Sequence, residues 1–166
     1  MPTSLPPVLP ADLPAGLPDD VADYLDRHHV MTLATCGADG PWAAAVFYCN
    51  AGRTLYFVSS PSSRHGRDLA RDPRCAATIQ DDTGEWATIK GVQVEGQVLE
   101  IGGDEALLAR QKYGEKFPVV GRLASAPAVI VQALAKVRWY RLRAQRLYFI
   151  DNSKGFGHRH EIELSP

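Results

Sequence analysis

The sequence predicts a mainly β, α+β domain: a small antiparallel barrel with flanking helices. Three observations carry this. Five strand-like apolar runs follow one another between residues 30 and 101, the first three joined by short glycine-bearing turns. The longest, Glu85 to Ile101, is interrupted by Gly91 and Gly96; glycine inside a strand marks a bulge or a bend, which long barrel strands need at their corners. Two more alternating runs, Val137 to Arg143 and Arg146 to Ile150, come after helical segments. Strands and helices therefore do not alternate as βαβ units.

At 166 residues the chain is long enough for one domain with its own core. Residues 1–18 hold six prolines and read as an extended arm, and residues 19–166 as a single domain. Asp19 and Asp20 open a helix with acid at its favourable end, and Val21, Tyr24, Leu25 and His28 share one face. His28 and His29 close that helix. Val30 to Cys36, Trp42 to Cys49 and Thr54 to Ser59 form a meander through the turns at residues 37–40 and 50–52.

The stretch from Leu55 to Ile79 organises the rest. A strand ending at Ser59 empties into a serine-rich turn, a short basic helix runs from Arg64 to Arg71, Asp72-Pro73 stops it, and Arg74 to Gln80 is the next strand. The first-turn N–H groups of such a helix lack internal partners and favour an anion. Ser63 can cap the helix while Arg64 and His65 add donors, so this corner is a candidate phosphate site. The plainer reading is that Ser63 is a cap worth about 1 kcal/mol and Arg64 a solvated first-turn residue. A helix follows from Gly103, with Ala106, Ala109, Tyr113 and Phe117 on one face. Residues 119–125 read as a second short helical piece. Pro127 to Ala135 mixes a Val-Ile-Val core with helix-favouring alanines and a leading proline, and is read as helix. The tail carries Gly155-Phe156-Gly157 and His158-Arg159-His160, and the two histidines read as exposed.

A formal net charge of −1 and arginines spread along strands give no case for nucleic acid. No apolar run is long enough to span a bilayer, and no signal-peptide pattern opens the chain. The three cysteines, Cys36, Cys49 and Cys75, form no CxxC pair and read as small buried hydrophobes in a reducing cytoplasm. Walker, GxGxxG, HExxH and GxSxG patterns do not occur.

Three stretches, MTLATCGADGPWAAAVFY from Met31, SSPSSRHGRDLARDP from Ser59 and IKGVQVEGQV from Ile89, together resemble the pyridoxamine 5'-phosphate oxidase-like FMN-binding split β-barrels. GVQVEG, FPVVGRLASAP and IDNSKGFG resemble its YhbP-like branch. The resemblance implies a six-stranded split barrel that forms a homodimer, with FMN in a groove shared by the two subunits and a small-molecule substrate. It implies that Ala44, Ala45, Val46 and Phe47 meet the flavin ring edge through their backbone, that Val58 and Ser59 lie beside it, and that Ser63, Arg64 and His65 hold the phosphate. Lys90 and Gly91 would approach from the other subunit; alternatively, Lys90 is a solvent-facing strand residue. Where the oxidases carry a cation in the second strand, this chain has Ala44. Their phosphate lysine is His65 here, their substrate lysine Cys49, and their Arg-x-His pair has no match. The implied activity is thus an FMN-dependent oxidoreductase other than pyridoxamine 5'-phosphate oxidase, with no catalytic residue assigned and the deazaflavin F420 as another possible cofactor. The alternative is a split barrel that binds haem or another planar ligand without turnover, through His158 or His160; a third is a degenerate barrel with only a structural or partner-binding role.

Overall fold

The computed structural model describes residues 16–118 and 136–164, together with residues 129 and 132. Most of the proline-rich arm and the helices expected over 119–125 and 127–135 lie outside these, apart from those two single positions. In chain order the elements are α1 (Asp19–Arg27), β1 (Val30–Gly37), β2 (Gly40–Ala51), β3 (Thr54–Ser59), α2 (Arg64–Arg71), β4 (Arg74–Gln80), β5 (Lys90–Ile101), α3 (Gly103–Lys116), β6 (Arg138–Asp151) and β7 (Arg159–Glu161). Among the described residues no helix is long and apolar enough to cross a membrane.

All strand pairs are antiparallel, in the order β3-β2-β1-β4-β5-β6-β7, and β3 also pairs with β6 from Thr54↔Arg143 to Ser59↔Arg138. That pairing closes six strands into a barrel and leaves β7 as an extra strand on β6. The period-two pattern sets the interior: Met31, Leu33, Leu55, Phe57, Ile79, Val92, Leu142 and Leu147 are all essentially inaccessible. Helix α1 plugs one end through Val21, Tyr24 and Leu25, and the Tyr48 hydroxyl donates to the Leu25 carbonyl at 2.7 Å. Helix α3 covers the outside of β2 and β3, burying Cys49, Tyr56, Ala109 and Tyr113 in a second cluster.

Several boundaries differ from the sequence expectation, each for a local reason. The long run from Glu85 is broken: Trp86–Thr88 is a 3-10 turn and β5 starts at Lys90. Here the Thr88 hydroxyl donates to the Glu85 carbonyl at 3.0 Å and the Glu85 N–H to the Thr83 hydroxyl at 3.2 Å, a side-chain alternative to the ladder. The two late runs are one strand, β6, in which Gln145 is an extra residue between the pairs Glu95↔Arg146 and Gly96↔Ala144. The tail is not free: β7 pairs with β6, His158 and His160 are half-buried, and the ring of His160 meets Phe149 edge-on at 6.0 Å. Cys49 and Cys75 are buried as expected, whereas Cys36 is exposed on the outer face of β1.

The bulge on β6 explains Gly96. A Cβ there would lie 2.2 Å from the Arg143 carbonyl oxygen, where the two backbones approach too closely for any side chain. Gly96→Ala should therefore destabilise the fold by about 1–3 kcal/mol, read as a lower midpoint in urea. Gly84→Ala, where an added Cβ meets nothing within 4 Å, should leave the midpoint near wild type. Equal midpoints for the two variants would refute the close approach.

Candidate cofactor site

Strand β3 delivers Ser59 to the mouth of the barrel, and the chain turns at once into α2. Ser63 is the N-cap: its Oγ accepts from the Gly66 N–H at 3.0 Å and donates to the Ser60 carbonyl at 2.7 Å. His65, on the first turn, places Nε2 2.5 Å from the Ser59 hydroxyl. Burial pushes the His65 imidazole below its ordinary value, with Asp68 acting the other way, which favours the neutral ring. Arg64 reaches across to the β1–β2 hairpin. One guanidinium N–H donates to the Asp39 carbonyl at 3.0 Å, and the group lies 4.6 Å above the Trp42 ring. Its Nε is buried and has no partner, an unusual condition for a charged donor. Arg67 donates to the Ser62 carbonyl and steadies the turn.

Beneath the helix, Asp68 is buried and accepts from the Thr35 hydroxyl at 3.1 Å. Gly37 makes this possible, since a Cβ there would fall 1.9 Å from the Asp68 carboxylate. The contact presses α2 onto β1 and sets its register against the hairpin that Arg64 grips.

From Trp42 the second strand runs away from this corner as a ribbon of small residues. Its register is Leu33↔Ala44, Thr32↔Ala45, Met31↔Val46 and Val30↔Phe47. Ala44 and Val46 are half-buried, while Ala45 and Phe47 face outward. Phe47 is 56% exposed, with its edge against Phe117. Val58 packs under α3 beside Trp139, and Ser59 points to the His65 ring. Lys90 and Gly91 lie at the other end of the barrel, where Lys90 is paired with Asp151 in register and its Nζ sits 3.3 Å from the carboxylate. Burial would raise the Asp151 carboxyl, but hydrogen bonds from Ser153 and Lys90 outweigh it and hold it below its ordinary range. One chain thus gathers Ser59, Ser63, Arg64 and His65 at the start of the ribbon and keeps Lys90 and Gly91 apart from them.

Two features lay beyond the sequence reading. Trp42 supplies the aromatic face that orients Arg64, a contact made where α2 lies beside the β1–β2 hairpin and not signalled by spacing. The outward faces of β1 and β4, Thr32, Ala34, Ala76 and Thr78, floor a shallow groove of about 540 Å³ rimmed by Gln93, Tyr148 and Arg159. Because Thr32 pairs with Ala45, this groove continues the ribbon. The only sequence signal for it is small residues at alternate positions of two strands.

The family model described as pyridoxamine 5'-phosphate oxidase matches residues 17–151. A UPF0306 protein of Photorhabdus laumondii is 32% identical over 136 residues, covering 81% of this chain and 87% of the relative. The UPF0306 protein YhbP of Escherichia fergusonii is 29% identical over 139 residues, covering 82% and 86%. Among solved structures, a conserved hypothetical protein of Mycobacterium tuberculosis superposes with a TM-score of 0.67 at 25% identity, covering 90% of this chain and 93% of that one. A haem-binding protein of Mycobacterium smegmatis gives a TM-score of 0.62 at 27% identity over 81% of this chain, which spans only 52% of that longer protein. A closed antiparallel barrel, a family-model match across most of its length and these relatives together establish that the chain belongs to the pyridoxamine 5'-phosphate oxidase-like split-barrel family, in its UPF0306 (YhbP) branch.

Proposed function

We propose that this protein binds FMN non-covalently between two copies of the chain and acts as an oxidoreductase on a small molecule. The observation that carries the reading is the buried, unpartnered Nε of Arg64 beside the capped start of α2. A phosphate oxygen supplies the acceptor that this donor lacks, and charge-assisted bonds of this kind are the strong ones. His65 adds a second ring donor once it takes up a proton, and the free N–H groups of the helix start favour negative charge. Ser63 contributes chiefly by holding that turn, since its hydroxyl is committed to the cap. The residues therefore fit a phosphate-bearing cofactor.

On this reading the backbone of Ala44, Ala45, Val46 and Phe47 lies along the edge of the flat ring, and the small side chains leave it room. Val58 and Ser59 close the near side. Lys90 and Gly91 come from the second copy, because their own chain holds them at the far end of the barrel. FMN, when bound, supplies the hydride- and electron-accepting ring; the protein supplies orientation and the surrounding electrostatics. The donor is a reduced nicotinamide or a compound of similar potential.

A second reading is favoured by one observation, the likeness to the haem-binding protein of Mycobacterium smegmatis. His158 and His160 are the candidate ligands, with ring centroids 5.6 Å apart on the β6–β7 edge. Among the described residues, no group of three or more His, Cys, Asp or Glu side chains is gathered for a metal ion, so any iron would have to arrive within a porphyrin.

Three measurements test these readings. FMN should lose fluorescence on titration with the protein and raise its melting temperature, and Arg64→Ala should weaken binding about 10- to 100-fold, the size of one charged hydrogen bond. No response of the wild type to saturating FMN, with F420 as the parallel titrant, would remove the flavin reading. Proton linkage gives the second. Burial disfavours the His65 imidazolium in the unliganded protein and an adjacent phosphate favours it, so binding takes up a proton. FMN affinity should then rise as pH falls from about 8 to about 6.5, around the ordinary histidine range, and His65→Gln should flatten that slope. Third, haem titration should give no Soret shift that depends on both His158 and His160; loss of such a band in the double alanine variant would instead favour the haem reading.

A further inference from the structure

A second cavity, of about 520 Å³, opens where α1 and α3 meet the end of β2. The end of β2 forms its floor with Cys49 and Asn50, α1 contributes Asp26, and the last turn of α3 contributes Lys112, Glu115 and Lys116. It shares no lining residue with the Ser63–His65 corner, and the flavin reading does not use it.

Three features make it a built site. The amine of Lys116 is held in place: Nζ lies 2.8 Å from the Leu25 carbonyl and 4.1 Å from the centre of the Tyr48 ring. Asn50 donates from Nδ2 to Asp26 at 2.8 Å, while its Oδ1 is buried without a partner. That oxygen is an acceptor waiting for an O–H or N–H. The charges of the lining cancel, two lysines against two carboxylates, and Lys112 is already paired with Glu115 at 3.0 Å. A neutral ligand suits such a wall better than an ion.

We propose that Lys116 Nζ forms an imine in this cavity with a small neutral aldehyde whose hydroxyl group donates to Asn50 Oδ1. The neutral amine attacks the carbonyl carbon with its lone pair, and a proton passes from nitrogen to the new alkoxide to give a carbinolamine. That hydroxyl then leaves as water together with the remaining N–H proton, and the nitrogen lone pair forms the C=N bond. One amine and one aldehyde become one imine and one water, with no oxidation or reduction. Desolvation supports the assignment by lowering the Lys116 ammonium to about 8, against opposing effects of Asp26 and Cys49, so a useful fraction is nucleophilic near neutral pH. The neighbouring Cys49 thiol does not compete, because burial pushes it up to about 12.

The experiment incubates the full chain with glycolaldehyde and cyanoborohydride, which reduces the imine in place, and maps the added mass on peptides. Lys116 should be modified at least about tenfold faster than Lys112, with a rate that rises through a midpoint near pH 8. Lys116→Arg keeps a cation on Tyr48 and the Leu25 carbonyl; it should remove the fast label, spare Lys112 and preserve the melting temperature. Asn50→Ala should erase the preference for glycolaldehyde over acetaldehyde. Modification of Lys90, Lys112, Lys116 and Lys154 in proportion to their exposure, or a fast label that survives in Lys116→Arg, would overturn the proposal.

Discussion

Closure of the sheet is the constraint on which the rest of the molecule depends. Strand β3 is short, and only its pairing with β6 gives its outer edge a partner. An unpaired edge there would expose a row of backbone donors and acceptors and open the interior that Leu55 and Phe57 help to fill. Closure also sets the mouth of the barrel, because Ser59 is where the closing ladder ends and the turn into α2 begins. The bulge at Gln145 and the bare backbone of Gly96 provide the curvature that lets the ladder meet. The corner that holds Arg64 is thus a by-product of how the barrel shuts.

Much of the architecture was legible because the period-two pattern is strong. The meander from Val30 to Ser59, the short helix after Ser63 and the α3 face through Ala109 and Tyr113 all follow from patterns a few residues long. The failures have two causes. Thr83 and Thr88 stop a run that otherwise reads as strand through hydroxyl contacts that hydropathy does not register, and the runs on either side of Ala144-Gln145 read as two strands yet are one, joined by a bulge that is decided by the partner strand β5. A distant partner also decides the tail, whose polar composition conceals a strand that finds β6. Within the site, the capping role of Ser63 was legible from its place before Arg64. The stacking of Arg64 on Trp42 was not, because nothing in the spacing of residues 42 and 64 signals a contact made through the hairpin.

That stacking has an energetic meaning. A cation–π contact and two backbone carbonyls hold the guanidinium at a cost already met in folding. An anion arriving there does not need to freeze a long side chain, a step that otherwise costs on the order of 1–2 kcal/mol. The neighbouring Asp68–Thr35 contact supports this by fixing α2 against β1. If the proposed reading holds, this corner would meet a phosphate with a pre-aimed arginine and a half-buried imidazole, where many phosphate sites use a mobile lysine.

The separation of Lys90 from α2 along the barrel has a consequence at the level of mass action. A single ligand touched by both ends must bridge two chains, so its occupancy is tied to the monomer–dimer equilibrium. Dilution alone would then empty such a site, and ligand in turn would drive the chains together. Ligand occupancy and self-association would be two readouts of one equilibrium.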